Sequence, residues 1–220
     1  MNHSLYLLKD RYSLCHIYHL AFILFVILNI AGCGGLLTTA EVEPTQTYLF
    51  GSIAPKEVYI GKGKIVIIVA TPTAQAGFDT TGIAYVHKPY RLDFYSKNQW
   101  IDSPQRMLSP LLVTALENTG RFQAVLPASS SISGDLRLET EFLCLQHELL
   151  TQPSQFHITL RVQLLDIRHQ QVQAIRTFDT LESASSEDPY GGVVAANRAI
   201  IRLLEEIAKF VVTEAPNRSF

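Results

Sequence analysis

The sequence predicts an α+β domain in which a mostly antiparallel sheet carries two helices packed on one of its faces. Three observations support this fold class. Apolar and polar residues alternate over several short segments, as in strands with one buried face. Two other segments repeat their apolar residues at helical spacing. The 220 residues are 47% hydrophobic and 17% charged, which is typical of a globular chain rather than a disordered one.

The first 32 residues are typical of a secretory signal peptide. Residues 17–32, IYHLAFILFVILNIAG, form an apolar segment that follows Lys9 and Arg11. A helix that spans a bilayer needs about 20 apolar residues, whereas a shorter apolar segment between basic and small residues is the signal-peptide pattern. An uncleaved membrane anchor is the alternative.

A lipidation motif ends this segment and consists of Ile30, Ala31, Gly32 and Cys33. It resembles the bacterial lipobox, which implies that the Cys33 thiol receives a diacylglyceryl group and becomes the N-terminus after cleavage. One acyl chain anchors a protein only marginally, whereas two or three attach it stably. Gly34 and Gly35 follow, where lipoproteins retained in the inner membrane commonly carry aspartate, so the resemblance implies the outer membrane. Residues 33–46 then form a flexible tether.

The folded domain is expected over residues 47–213 and begins with strands. Lys64–Ala70, KIVIIVA, is a continuous β-branched segment that predicts a central strand buried on both faces. Gly82–Val86 and Tyr90–Tyr95 predict two short paired strands. A helix is predicted to start at Asp102-Ser103-Pro104 and stop at Gly120, with a kink or a delayed start at Pro110.

The second half of the domain predicts three strands and a helix. Leu136–Phe142, Phe156–Leu164 and Gln171–Ala184 show the alternation of an antiparallel meander, and Cys144 is predicted to lie buried in phase with Leu138 and Phe142. The terminal helix places on one face Val193, Ile200, Leu204, Ile207 and Val211, and on the opposite face Arg198, Arg202, Glu205 and Lys209. Residues 214–220 are a C-terminal tail.

The patterns of catalytic, metal and nucleic-acid sites are missing from the sequence. Gly61-Lys62-Gly63-Lys64 lacks phosphate-loop spacing and precedes a strand, so we interpret it as a turn. Glu139 and Glu141 belong to the solvated face of a strand. The formal net charge of −2 leaves no basic excess for nucleic acid. The histidines of the folded domain are scattered and expected on solvated or strand faces, without a metal site: His87, His147, His157 and His169. We therefore expect neither an enzyme nor a cofactor.

Residues 82–125, GIAYVHKPYRLDFYSKNQWIDSPQRMLSPLLVTALENTGRFQAV, resemble the ABC-type transport auxiliary lipoprotein components. The similarity rests on Tyr85 and Tyr90 in the paired strands, Trp100 before a proline-started helix, and Thr119–Phe122, and it extends over residues 46–213. It implies a non-catalytic, periplasm-facing lipoprotein of the outer membrane. It also implies that the partner is an MCE-domain protein of an ABC system moving lipids or hydrophobic solutes between membranes, and it allows a homo-oligomer.

Two other functions stay open at this stage. A lipid carrier would hold an acyl chain in its own apolar cavity, whereas a docking component would have a filled core. A structural envelope lipoprotein would have no transporter partner. For docking, the candidate residues are Lys97, Trp100 and Arg121, because they are predicted to lie in loops that flank the first helix. The alternative for Trp100, as for Tyr85, Tyr90 and Tyr95, is packing in the core.

Overall fold

The computed structural model describes residues 44–55 and 63–216, together with five residues between positions 19 and 25 that are helical. The chain divides into two compact units, Met1–Glu43 and Pro44–Phe220. The lipidation motif at Ile30–Cys33 lies outside the described residues, as do Gly61 and Lys62 of the predicted turn. Among the helices that are described, none is both long and apolar enough to cross a membrane.

The described part of the second unit forms nine strands and two helices, which confirms the α+β prediction. In chain order the elements are β1 (Gln46–Tyr48), β2 (Val66–Val69), β3 (Thr73–Ala74), β4 (Gly82–Lys88), β5 (Arg91–Trp100), α1 (Pro104–Glu117), β6 (Ala124–Pro127), β7 (Leu136–Glu148), β8 (Gln155–Asp166), β9 (Gln171–Ser183) and α2 (Pro189–Glu214).

Strand β7 is the centre of the sheet. One of its edges pairs with β8 in antiparallel register, from Leu136 opposite Asp166 to Glu148 opposite Gln155, and β8 pairs in turn with β9. This is the predicted meander. The other edge of β7 takes β2, β3 and β4 one after another, all parallel to it. The antiparallel pairs hold most of the paired residues, so the sheet is mostly antiparallel. The parallel pairs were not predicted.

Strand β2 confirms the prediction of a buried central strand. It pairs with β6 on one side and with β7 on the other. Ile67 and Val69 are completely buried and Ile68, which points to the opposite face, is 6% exposed. A strand that is covered on both faces needs apolar residues at consecutive positions, which explains the unbroken run of β-branched side chains.

The β4–β5 hairpin is longer than predicted. Lys88 pairs with Arg91, so Pro89 and Tyr90 form the turn, and Tyr90 has a φ of +66°. Strand β5 then continues to Trp100. The prediction of a loop over Lys97–Trp100 is therefore wrong, because these residues are paired: Asn98 and Trp100 face Gln46 and Tyr48 of β1.

Helix α1 begins where the sequence predicts, at Pro104 after the N-cap Ser103. The Ser103 side chain makes no capping hydrogen bond; instead Asp102 Oδ1 accepts a bond from Arg106 Nη2 at 2.6 Å. The helix runs through Pro110 without interruption, so the delayed start is not observed. It ends at Glu117, and Gly120 follows with a φ of +64°, which glycine adopts without steric cost.

Both helices pack on the same face of the sheet and share one hydrophobic core. The predicted apolar face of α2 is buried, with Ile200 and Leu204 each 1% exposed. On its solvated side, Arg198 Nε donates to Glu182 Oε1 at 2.9 Å, and Arg202 also pairs with Glu182. These contacts attach α2 to the C-terminal end of β9, so apolar packing and ion pairs together hold the helix to the sheet.

The prediction that Cys144 is buried within the meander is wrong. The pairing of β7 with β8 shifts register between Phe142 and Cys144, and the burial pattern of β7 changes phase there. A bulge of this kind places the following side chains on opposite faces from those a regular strand would give. Cys144 is consequently half-buried on the outer face rather than buried with Leu138 and Phe142.

Candidate functional site

The candidate site is an apolar groove between the C-terminal end of α1 and the second half of α2. Its volume is about 590 Å³. We call it the helix groove, and its lining residues are Ile53, Ala54, Ala115, Asn118, Thr119, Ile201, Leu204, Glu205, Ala208, Lys209 and Val212.

Small side chains create the helix groove. Ala54, Ala115 and Ala208 leave space between the segment 50–55 and the two helices. The Asn118 side chain donates to the Ala54 carbonyl at 3.1 Å and so ties that segment to the end of α1. Ile201 stands at the edge and is 42% exposed. An open apolar depression with a few polar groups at its rim suits apolar side chains of a partner or an apolar ligand.

A second depression continues this surface toward the start of α2. It has a volume of about 440 Å³, lies between β1 and α2, and shares Ile201 with the helix groove. Leu49 and Tyr190 in its wall are 58% and 61% exposed. Asn197 Nδ2 donates to the Leu49 carbonyl at 3.2 Å, which holds the wall against the helix. Exposed apolar side chains therefore follow α2 over several turns, as in surfaces that bind other proteins.

Trp100 does not belong to any surface. Its side chain is 1% exposed, and its ring meets those of Phe50 and Phe156 edge-on, with centroids 5.0 Å and 6.4 Å away. A ring enclosed in this way cannot anchor a partner without opening the core, so the docking role proposed for Trp100 is wrong and the packing alternative is correct.

Lys97 and Arg121, the other two candidates for docking, do not form a site together. Lys97 is exposed on β5, Arg121 is half-buried in the turn after α1, and neither lines the helix groove. Cys33 lies outside the described residues. The groove was missed because its residues come from three segments far apart in the chain. The sequence assigned Leu204 to the apolar face of α2 and Glu205 and Lys209 to its polar face, but neither assignment indicates a groove.

His147 lies on the buried face of β7, beside the start of α2, which is the strand-face position that the prediction allowed. Its Nδ1 lies 2.9 Å from the Tyr95 hydroxyl and its Nε2 lies 2.9 Å from Ser154 Oγ. Burial lowers the pKa of His147, against the opposing effect of the Glu187 and Asp188 charges. Ser154 and His147 are both inaccessible to solvent, so this serine–histidine pair is closed to any substrate and serves the packing of the core.

His157 lies on the outer face of the sheet within a cluster of polar side chains. Its Nδ1 is 2.8 Å from Glu148 Oε1 and its Nε2 is 2.8 Å from Asp179 Oδ1. Hydrogen bonding by Cys144, and then by Asp179 and Glu148, outweighs burial and raises the pKa of His157 to about 10. A protonated imidazole between two carboxylates is an ion-pair network. Among the described residues, His, Cys, Asp and Glu form no group of three placed to hold a metal ion.

A comparison of the sequence with known protein families found a match. The sequence model of the ABC-type transport auxiliary lipoprotein components matches residues 48–208, which is most of the chain. The protein belongs to this family. The match begins at the last residue of β1 and ends within α2, so it covers nearly all of the sheet, the whole of α1 and most of α2. A family of transport auxiliary lipoproteins fits a lipid-anchored, periplasmic protein.

Two solved structures show the same fold as this auxiliary component. It is similar to protein XCC0632 from Xanthomonas campestris, with a TM-score of 0.67 and 22% identity over 77% of this chain and 96% of that one. A second crystal structure, of an uncharacterized protein, has a TM-score of 0.61 and 14% identity over 77% and 99% of the two chains. Protein CT253 from Chlamydia trachomatis covers 69% of this chain and 98% of its own, with a TM-score of 0.48 and 14% identity. No curated protein sequence matches this chain.

Proposed function

We propose that this auxiliary component is held in the outer membrane by acyl chains on Cys33 and docks the MCE-domain protein of an ABC transport system through the helix groove. In this way it helps to move lipids or other hydrophobic solutes between the two membranes. It binds and positions its partner and carries out no catalysis. The observation that carries the proposal is the combination of the family match over residues 48–208 with an open apolar groove on the surface of the matched domain.

The tether makes a modest groove sufficient for docking. Anchoring confines the domain to a thin layer above the membrane, and a tethered partner site then acts at a high effective concentration. A weak apolar contact of a few side chains can therefore hold a conduit in register. The motif of Ile30 to Cys33 and the residues Gly34 and Gly35 after it support an anchor in the outer membrane.

A lipid-carrying role is the second candidate, and the helix groove is also the observation that favours it. A carrier requires a cavity that encloses most of an acyl chain. The groove is open to solvent along Ile201, and the space between helices and sheet is filled by fully buried side chains such as Leu108, Leu112 and Leu160. A filled core and a surface groove support docking more than carriage. A structural envelope lipoprotein without a partner remains the third candidate.

Photo-cross-linking in intact cells tests the docking proposal. A photoreactive amino acid at position 201, in the groove, should cross-link the MCE-domain protein. The same residue at position 175 is the matched control, because Ile175 is also an exposed isoleucine, 57% exposed, but lies on β9 away from the groove. Capture of phospholipid instead of protein at position 201 would establish the carrier. Equal cross-linking of the MCE protein from both positions would show that the groove is not the docking site.

A substitution pair measures the strength of the contact. Ile201→Asp should reduce co-purification of the partner at least about tenfold, because a carboxylate in an apolar contact must be desolvated without a partner. Ile175→Asp should leave it unchanged. Both variants should keep the melting temperature of the natural protein, since both positions are exposed.

A further inference from the structure

The turn of the β4–β5 hairpin presents a tyrosine in a backbone conformation that tyrosine rarely adopts. Pro89 and Tyr90 are the two residues between the paired Lys88 and Arg91, and Tyr90 has a φ of +66°. Glycine or asparagine is usual at this position of a turn, because a larger side chain is strained there. Tyr90 is also completely exposed, so packing against the described residues does not explain it. Strain that is kept at an exposed position points to a contact outside the domain.

The charges around Tyr90 indicate what it contacts. Lys88 and Arg91 flank it and are exposed. Arg91 Nε lies 2.8 Å from Asp93 Oδ2, and His87 Nδ1 lies 3.4 Å from the same oxygen, which leaves Lys88 and the outer edge of the Arg91 guanidinium toward solvent. A tyrosine between basic side chains is typical of a membrane–water interface, where the ring lies among headgroups and the cations meet lipid phosphates.

The chain enters the folded domain from the end of the sheet at which this hairpin turns. Strand β1 is parallel to β5, with Gln46 opposite Asn98, so the chain enters β1 from the end of the sheet at which the hairpin turns. Gln46 is level with a point about 23 Å along β5 from Arg91, at roughly 3.3 Å a residue. The thirteen residues from Cys33 to Gln46 can extend about 45 Å, which is enough for a lipid anchor and the turn to meet one surface.

The opposite end of the sheet carries the helix groove. Val86 of β4 pairs with Glu148, the last residue of β7, whereas β2 pairs with the first residues of β7 and α1 packs beside β2 and β6. The groove residues of α1 and α2 therefore lie at the end of the sheet where β7 begins, opposite the hairpin turn. A domain that stands with its hairpin on the bilayer therefore turns its groove away from the membrane.

We propose that the hairpin tip, Lys88–Arg91, is a second membrane contact that binds the anionic headgroups of the bilayer in which Cys33 is anchored. The contact fixes the domain upright, with the helix groove facing the periplasm. This inference rests on the proposed function, because the tip reaches the bilayer only when Cys33 is acylated.

Amine labelling of the reconstituted lipoprotein tests the inference. The mature, acylated full chain is placed in vesicles of phosphatidylcholine with or without phosphatidylglycerol, and the labelling rates of Lys88 and of Lys209, exposed on α2, are compared by mass spectrometry. Phosphatidylglycerol should slow Lys88 relative to Lys209 by about fivefold, the factor expected for one basic side chain at an anionic surface. High salt should remove the protection, because it screens the attraction.

Two matched substitutions separate the tip from the rest of the domain. Tyr90→Asn keeps a residue that tolerates a positive φ and should abolish most of the protection of Lys88. Gln170→Asn is the control, because Gln170 also has a positive φ, +52°, but lies in the β8–β9 turn beside the first residues of β7. It should leave the protection unchanged.

Vesicle flotation distinguishes the two levels of failure. A lipoprotein that does not float with the vesicles would overturn the anchor and, with it, this inference. A lipoprotein that floats but labels equally at Lys88 in both lipids would overturn the membrane contact alone. Protection of Lys88 that appears only in native membranes, and not in pure lipid, would assign the tip to a protein partner and likewise overturn it.

Discussion

His147 lies so close to Gly192 that a Cβ on this glycine would stand 2.6 Å from the imidazole Nδ1. The same Nδ1 is hydrogen-bonded to the Tyr95 hydroxyl, so the ring cannot move away without breaking a buried polar contact. The first turn of α2 therefore packs on β7 at backbone distance, and only glycine fits at this position.

Gly192→Ala should destabilise the domain by about 1–3 kcal/mol, because it forces a methyl group into a closed space. In an unobstructed helix the same change stabilises by about 1 kcal/mol, so the sign of the effect is diagnostic. Urea unfolding measures it. In a His147→Ala background the loss should disappear, as a double-mutant cycle would show; a loss of equal size in both backgrounds would place the clash elsewhere.

The alkaline side of the stability profile should depend on His157. Its pKa is raised to about 10 in the folded protein, against about 6.5 in an unfolded chain. The folded state therefore holds the proton more tightly, and the stabilisation is complete below about pH 6.5 and is lost as the pH rises toward about 10. His157→Gln should flatten this decline in the free energy of unfolding. His87→Gln, at an exposed histidine of the β4–β5 hairpin, is the control, and an identical decline in natural protein and His157→Gln would refute the assignment.

Trp100→Ala should cost about 3–5 kcal/mol of stability, because it empties a buried site between two aromatic rings. Phe94→Ala on the same strand, where the side chain is 44% exposed, should cost less than about 1 kcal/mol. Thermal unfolding of the two variants gives the comparison. Loss of partner binding without loss of stability in Trp100→Ala would restore the docking role that the burial of its ring excludes.

Tyr90→Asn should stabilise the domain by about 0.5–1 kcal/mol, because asparagine tolerates the left-handed backbone that strains a tyrosine. Tyr90→Ala keeps the Cβ without a local hydrogen-bonding group and serves as the control, with little or no gain expected. Chemical denaturation decides between them. A Tyr90→Asn protein that is less stable than the natural protein would show that the turn is not strained.

Cys33→Ser should abolish acylation, and it should also abolish cleavage of the signal segment before position 33. Serine lacks the thiol that receives the diacylglyceryl group, so a clickable fatty acid fed to cells should label the natural protein and not the variant. Cys144→Ser is the control, since Cys144 lies within the folded domain and should not affect labelling. Equal incorporation into the natural protein and Cys33→Ser would disprove the lipidation motif.

The regular elements were predictable because their signals are local. Alternation over Phe156–Leu164 reports one buried face, and the spacing of Ile200, Leu204, Ile207 and Val211 reports one buried side of a helix; both patterns arise within a few turns or residues. The strand β2 was recognised for the same reason.

One bulge accounts for the wrong prediction that Cys144 is buried. A regular β7 would place Cys144 inside and His147 outside, and the register shift after Phe142 exchanges them. Alternation cannot predict the extra residue, because a bulge depends on how two strands pair. The parallel pairs of β7 and the helix groove could not be predicted for a related reason. Each is formed by segments more than fifty residues apart, and nothing in one segment indicates its partner.

The pairing of β7 on both edges predicts the order in which the strands of the sheet assemble. Its pairing with β8 closes a short connection, from Glu148 to Gln155, whereas its pairing with β2 joins Ile67 to Leu136 across nearly seventy residues. Long closures cost more chain entropy and are slower. We therefore expect the C-terminal meander to assemble first and to offer its free edge as a template on which β2, β3 and β4 add. Export from the N-terminus, which the proposed function requires, would deliver the strands in the opposite order. Strand β2 would then stay unpaired and prone to aggregate until residues 136–183 had followed it.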